Sequence, residues 1–156
     1  MQPPFDPAPV SPVIVSEQIL WIRRDEETTP MHVLKLVYLA HGWLLALHDV
    51  PLINEPVEAW RYGPVIPSVY YRYKDYGGFP ILSTPKDQSE HLDDLQKKII
   101  EDTVIAYKSH GPWDLSEITH RKGSPWDTVA RNPGAGGIIP NRLIKRYYKK
   151  LAEAKK

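Results

Sequence analysis

The stretch PMHVLKLVYLAHGWLLALH at residues 30–48 is apolar on almost every side of a helix. Thr29-Pro30, where it begins, combines an N-cap residue with a proline at the first helical position, which favours a helix start. A helix that is apolar all round needs a packing partner on every face. We therefore expect residues 30–48 to form a buried central helix around which the rest of the chain packs.

Further helix signals flank this central segment. Ser11-Pro12 repeats the cap-and-proline pair and predicts a helix over about residues 12–24. Later helices are predicted to begin near Pro67 or Ser68, Asp87, Asp114, Ser124 and Pro140-Asn141. Val57 to Tyr62 alternates in polarity and predicts a short strand, for which Ile81-Leu82 is a candidate partner. The predicted fold is mostly all-α: one compact bundle of about six to seven helices with at most a small two-stranded β ribbon.

The chain length of 156 residues suits one domain. Residues 1–12 contain five prolines, and proline both removes backbone donors and restricts the backbone. We expect residues 1–12 to be a proline-rich flexible tail and residues 13–156 to form the domain. Asn132 to Gly137 contains three glycines and is predicted to be a loop.

The composition limits the functional classes that need to be considered. The chain has no cysteine, which excludes disulfides, thiolate zinc sites and cysteine nucleophiles. Its longest apolar stretch, Val33 to Leu47, is interrupted by Lys35 and His41, and no apolar run reaches the roughly 18 residues needed to span a membrane. Its N-terminus lacks the basic and apolar regions of a signal peptide. We expect a cytoplasmic protein without membrane contact.

Six histidines raise the possibility of a metal site, but their spacing does not favour one. His41 and His48 are two helical turns apart, roughly 10 Å, which is too far for one ion. His120, Ser124 and Asp127 include the residue types of a hydrolytic triad, but no nucleophile-elbow motif accompanies them. Ser124 is better explained as a helix cap. The sequence therefore predicts no metal, no cofactor and no catalytic residues.

Four segments occur in the order typical of a known protein family. They are Lys35-Leu36-Val37-Tyr38-Leu39-Ala40-His41-Gly42-Trp43, Glu58-Ala59-Trp60-Arg61-Tyr62-Gly63-Pro64-Val65, Ser124-Pro125-Trp126 and Ile139-Pro140. Together they resemble the Panacea (SocA-like) antitoxin domain, which phage-associated GepA-type proteins share. The resemblance runs from about residue 16 to about residue 148, and the segment Ala-Trp-x-Tyr-Gly-Pro-Val is its most specific part.

This resemblance implies a mostly helical, non-enzymatic domain that neutralises a cognate toxin by direct protein contact. The toxin is expected to be encoded by an adjacent gene. The alternatives are an adaptor that delivers its toxin to a protease and, less favoured, a nucleic-acid-binding regulator. The motif residues are expected to be mainly structural: Lys35, Tyr38, His41, Trp43, Trp60, Gly63, Pro64, Val65, Ser124, Pro125 and Trp126.

Two surfaces are candidates for partner binding. Trp, Tyr and Arg dominate protein interfaces, and the first candidate set is Arg61, Tyr62, Tyr70, Tyr71 and Tyr73. The alternative is a structural corner followed by an amphipathic helix with half-buried tyrosines. The second surface is the C-terminal helix, where residues 141–156 hold seven basic side chains and one acid. Its charge can be explained by a solvated helix end, where basic residues are favoured, or by binding to an acidic protein partner. Phosphate binding is the third interpretation, and the pI of about 7.9 is low for a nucleic-acid-binding domain.

Overall fold

The computed structural model of the protein describes residues 7–132 and 137–155. Within these ranges it contains seven α-helices and a three-stranded antiparallel sheet of order β2-β1-β3, which confirms the mostly helical fold class. The helices are α1 Pro12–Ile22, α2 Pro30–His48, α3 Pro67–Tyr73, α4 Asp94–Ala106, α5 Pro112–His120, α6 Pro125–Ala130 and α7 Asn141–Ala154. The strands are β1 Val57–Trp60, β2 Gly63–Val65 and β3 Ile138–Ile139.

Helix α2 is the centre of the core, as its apolar pattern predicts. It packs against α1, α4, α5 and α7, and thirteen of its nineteen residues are buried. The side chain of Thr29 caps its first turn by accepting from His32 N, and Asp49 ends it in a left-handed conformation. By length and composition α2 could also cross a membrane, but 72% of its apolar window is buried inside the fold. Its apolar surface therefore serves packing within this domain.

His41 connects α2 to two other parts of the chain. Its Nδ1 accepts a hydrogen bond from Leu52 N at 3.1 Å, and its Nε2 lies 3.0 Å from Asn141 Oδ1 at the start of α7. Since Nδ1 accepts, Nε2 carries the proton and donates to Asn141. The side chain is fully buried, and burial lowers its pKa to about 4. His41 is therefore neutral near pH 7 and holds these segments on α2.

Close packing of small and aromatic residues fixes α7 on α2. A Cβ atom at Gly42 would lie 2.8 Å from Cδ2 of Tyr148, so only glycine allows this approach. The Tyr148 ring contacts Trp43 at a centroid distance of 5.2 Å, and Trp43 Nε1 donates to Tyr107 Oη beyond α4. The Lys35–Trp43 motif thus joins α2 to α7 and to the end of α4.

The sheet differs from the predicted ribbon in its pairing and strand number. Gly63–Val65, and not Ile81-Leu82, pairs with β1, because a turn of two residues, Arg61 and Tyr62, returns the chain at once. Ile138–Ile139 adds a third short strand on the other side of β1. The backbone N–H of Ile81 instead donates to Thr28 O at 2.8 Å.

Two helices begin away from their predicted caps. Helix α4 begins after Asp93, which forms a capping box with Gln96, and the predicted capping box at Asp87 precedes only a short 3₁₀ turn, Ser89–His91. Helix α5 begins at Pro112, with Asp114 accepting from Gly111 N. The N-cap of α4 is thus Asp93, whereas the N-cap of α5 is Gly111, whose backbone N–H donates to Asp114.

The segment next to α1 is packed, in contrast to the flexible tail predicted for residues 1–12. Val10 forms a parallel bridge with Ile53, and Ala8 O accepts from Gln96 Nε2 at 2.9 Å. These contacts provide partners for the backbone groups of Ala8 and Val10, which lie among the prolines. The tail prediction for residues 1–6 lies outside the described residues, as does that of a loop for residues 133–136.

We expect the stability of the protein to fall as the pH falls from about 7 to about 4.5. Folding lowers the pKa of His41 from 6.5 to about 4, so the unfolded chain binds more protons in this window and acid favours unfolding. His41 alone accounts for a loss of about 2 kcal/mol between these two pH values, and His32, whose pKa burial also lowers to about 4, acts in the same direction. Urea denaturation measured across the pH range tests this.

A His41→Phe variant is the control for this prediction. It should be less stable near neutral pH, because Leu52 N loses its acceptor, and its stability should depend less on pH. Equal pH dependence of the variant and the original protein would contradict the role assigned to His41.

Candidate partner-binding site

The β1–β2 hairpin presents Arg61 and Tyr62 at its tip. Trp60 pairs with Gly63, which leaves these two residues as the whole turn. The Tyr62 side chain is 66% exposed, and the Arg61 guanidinium lies 5.3 Å from its ring centroid. Gly63 has a φ of 129°, a conformation that side-chain-bearing residues rarely adopt. The Trp-Arg-Tyr-Gly-Pro motif therefore makes a tight turn that projects a cation and an aromatic ring.

The hairpin is supported from below by α5 and α6. Trp126 Nε1 donates to Trp60 O, and Ser116 Oγ donates to Tyr62 O at 3.4 Å. Trp126 lies in the first turn of α6, which the Ser124 side chain caps by accepting from Asp127 N. The Ser124-Pro125-Trp126 motif thus positions a hydrogen-bond donor under the end of β1. These contacts hold the exposed turn in one conformation.

Helix α3 adds two tyrosines beside the hairpin. The ring of Trp60 packs edge-on against Tyr70 at a centroid distance of 4.9 Å, and Tyr70 packs against Tyr71 at 5.3 Å. Tyr70 and Tyr71 remain 39% and 59% exposed. The structure therefore brings together four of the five predicted interface residues next to Trp60. We call the set Trp60, Arg61, Tyr62, Tyr70 and Tyr71 the aromatic surface.

Tyr73, the fifth residue of the predicted interface, lies apart from this surface and is buried. Its side chain is only 4% exposed, and its hydroxyl lies 2.9 Å from Ser16 Oγ on α1. Val69 and Tyr73 are four residues apart on α3 and share its buried face. Tyrosines spaced closely along a helix alternate between core and solvent, and only the packing on α1 shows which face is buried.

Lys35 lines a cleft between α2, the hairpin and α3. The cleft has a volume of about 340 Å³ and is bordered by Arg61, Tyr62 and Tyr70. Lys35 is 3% exposed, and its Nζ donates to Pro64 O at 3.1 Å. Burial lowers the pKa of its ammonium to about 8. In the sequence, Lys35 is recognisable only as a lysine within an apolar helix. The cleft beside it is formed by segments that are far apart in the sequence.

The other motif residues lie behind the aromatic surface or in the core. Tyr38 and His41 are fully buried on α2, whereas Trp43 is half-buried. The buried or half-buried motif residues of the hairpin and α6 are Trp60, Gly63, Pro64, Val65, Ser124, Pro125 and Trp126. This placement supports a structural role for most of them.

The C-terminal helix forms a second surface. Its Arg142, Arg146, Lys149 and Lys150 are exposed, and Lys145 pairs with Asp49 at 2.6 Å. A groove of about 510 Å³ runs between α6 and α7, with an apolar floor that includes Leu143, Tyr147 and Leu151. Its lining shares no residue with the Lys35 cleft.

The residues that could suggest catalysis have structural partners. His120 Nδ1 contacts Ser116 O, and Ser124 Oγ caps α6. Within residues 7–132 and 137–155, no three His, Asp or Glu side chains are grouped to hold a metal ion.

Comparison with known proteins relates this arrangement to a family. The family model described as "Antitoxin SocA-like, Panacea domain" matches residues 33–127. Antitoxin SocA of Caulobacter vibrioides (strain NA1000 / CB15N) is 34% identical over 131 residues, covering 74% of this chain and 66% of that protein. The chain thus spans just under two thirds of the length of this relative. No solved structure is significantly similar. The matched range contains the aromatic surface and Lys35, whereas α7 lies beyond it.

We predict that Gly63→Ala lowers the free energy of unfolding by about 2 to 3 kcal/mol, because its positive φ strains any side chain. The new Cβ would also lie 2.7 Å from Lys35 Nζ. Gly78→Ala is the matched control, since nothing lies within 4 Å of its added Cβ and its φ is ordinary. Chemical denaturation of both variants checks the prediction, and equal stability of the two would refute it.

Proposed function

The chain belongs to the SocA-like Panacea antitoxin family, and we propose on this basis that it neutralises a cognate toxin protein by binding it directly. The toxin is encoded by an adjacent gene, and the two proteins meet in the cytoplasm. Neutralisation is stoichiometric and requires neither catalysis nor a cofactor. The aromatic surface is the centre of the contact, and the basic face of α7 is a secondary contact.

The observation that carries this proposal is the aromatic surface itself. It combines exposed Tyr62 and Tyr71 with Arg61, the residue types that contribute most to binding energy in protein interfaces. Hydrogen bonds from Trp126 and Ser116 hold the hairpin in place before any partner binds. A surface that is already ordered loses less conformational entropy on binding. The family match also covers all of it.

The proposal of a non-enzymatic role has support from the contacts of the polar residues near the hairpin. His120 and Ser124 are occupied by a backbone contact and a helix cap, respectively. Lys35 is held against Pro64 O and faces an apolar cleft. These contacts explain the polar residues near the hairpin without a reaction.

Co-expression with the product of the neighbouring gene tests the function. Growth arrest by the neighbour alone, with rescue by this protein and a stable complex on purification, is the expected result. Rescue with disappearance of the neighbour would indicate the alternative function, an adaptor that delivers the toxin to a protease. A harmless neighbour that forms no complex would contradict the antitoxin assignment.

Two further experiments separate the alternatives. Residues 1–6 can be deleted without removing the contacts of Ala8 and Val10, and direct neutralisation should survive this deletion. A nucleic-acid-binding regulator would act through the basic face of α7, and its affinity for DNA or RNA would fall steeply with salt. Absence of binding at low salt would exclude that role.

We predict that Tyr62→Ala weakens the complex with the toxin by about 2 kcal/mol or more, roughly 30-fold in Kd, because Tyr62 is the most exposed tyrosine of the aromatic surface. Ile105→Ala on α4 is the matched control, since Ile105 is 63% exposed and Tyr62 is 66% exposed. Titration calorimetry of the purified proteins measures both. Loss of affinity of the same size in both variants would place the contact elsewhere.

A further inference from the structure

Lys35 is a buried cation without an acidic partner among the described residues. None of the ion pairs found within residues 7–132 and 137–155 includes it. Burial is the only cause that lowers its pKa to about 8, and no neighbouring carboxylate opposes the shift. Lysines are rarely buried to this extent unless they are paired. Burial of the Lys35 ammonium therefore costs free energy in the folded protein, and an incoming anion would reduce this cost.

The hydrogen bonds of Lys35 leave room for such an anion. An ammonium group has three N–H donors, and within the described part of the chain Nζ of Lys35 makes one hydrogen bond, to Pro64 O. The Lys35 side chain also lines the cleft of about 340 Å³. An anion in this cleft would therefore lie close to a lysine with unused N–H donors.

The lining of the cleft indicates what would enter it. Met31, Leu34 and Val65 provide apolar walls, and Arg61 and Lys74 add two further cations. No aspartate or glutamate lines it among the described residues. A complementary occupant has a carboxylate on a short apolar stem, which is the chemistry of a glutamate or aspartate side chain.

We propose that the Lys35 cleft receives an acidic side chain of the toxin, whose carboxylate pairs with the Lys35 ammonium. This inference rests on the proposed function and names the chemistry of the toxin segment that is bound. A protein segment is favoured because Arg61, Tyr62 and Tyr70 belong both to the cleft and to the aromatic surface. A partner that covers the aromatic surface therefore lies over the mouth of the cleft.

The desolvation of Lys35 makes the pairing selective. Its side chain is already largely shielded from solvent in the free protein, so binding removes water mainly from the incoming carboxylate. A partner with a neutral residue at this position would leave the buried cation uncompensated. Substitution of Lys35 would conversely leave the carboxylate of the partner buried without a counter-charge, which reduces affinity strongly.

The first experiment tests the cleft without the toxin. Phenylacetate is the probe and phenylacetamide is its uncharged match, with binding followed by the backbone amide signals of Gly63 and Val65 in NMR titrations. Phenylacetate should bind at least about fivefold more tightly than phenylacetamide. Lys35→Met should remove this preference, whereas Lys74→Met, at the exposed rim of the cleft, should keep most of it.

Equal affinity for the two probes, or no binding of either, would overturn the carboxylate site. Lys35→Met replaces a desolvated charge by an apolar chain of similar length, and its thermal unfolding should stay close to that of the original protein. Lys35→Gln provides a second neutral variant if the methionine variant does not fold.

The second experiment uses the complex with the neighbouring gene product. Each Asp and Glu of the toxin is replaced by Asn or Gln, and affinities are measured against the original protein and Lys35→Met. Replacement of one toxin carboxylate should weaken binding to the original protein by about 30-fold or more. The same replacement should weaken binding to Lys35→Met much less, which is the coupling expected of a buried charge pair.

The outcomes separate this inference from the proposed function. A tight, neutralising complex that is indifferent to Lys35→Met would overturn the inference and leave the antitoxin function standing. Absence of any complex, with the cleft still selecting phenylacetate, would refute the toxin as occupant together with the proposed function, while the carboxylate site itself would stand.

Discussion

The need to cover the apolar side chains of α2, thirteen of whose nineteen residues are buried, determines how the other helices are arranged. Each fully buried leucine such as Leu36 or Leu44 contributes about 2 kcal/mol to folding, but only if other elements cover it. Helices α1, α4, α5 and α7 provide that cover and are arranged around α2 for this reason. The sheet lies beside this core and adds strand β2 to the contacts of α2.

The two polar residues that interrupt the apolar pattern of α2 have different uses. His41 is neutral, makes hydrogen bonds through both ring nitrogens and holds α7 and the loop after α2 in place. Lys35, nearly two turns earlier, reaches the hairpin backbone through a single hydrogen bond. One residue thus completes the core, whereas the other connects the core to the candidate interface. A polar side chain in a buried helix indicates a specific partner, and the helix alone does not show whether that partner is internal.

The motif residues near the hairpin also combine structural contacts with an exposed surface. Trp126 supports Trp60, and Trp60 in turn packs on Tyr70, so that α6, β1 and α3 are connected through aromatic side chains. Arg61 and Tyr62, at the tip of the hairpin, are exposed and are not part of this chain of contacts. The Trp-Arg-Tyr-Gly-Pro motif is therefore both a structural corner and an exposed surface, and the two interpretations of it are compatible.

The central helix, the caps at Ser11, Thr29 and Ser124, the mostly helical class and the family could all be predicted from the sequence, because they depend on local periodicity and residue order. The sequence also identified most of the aromatic surface. The folded structure was needed to show that Tyr73 faces α1, that β1 pairs with its immediate neighbour and with β3, and that Lys35 lines a cleft. Those features depend on which distant segments meet, and a single chain pattern carries no information about side-chain neighbours far apart in sequence.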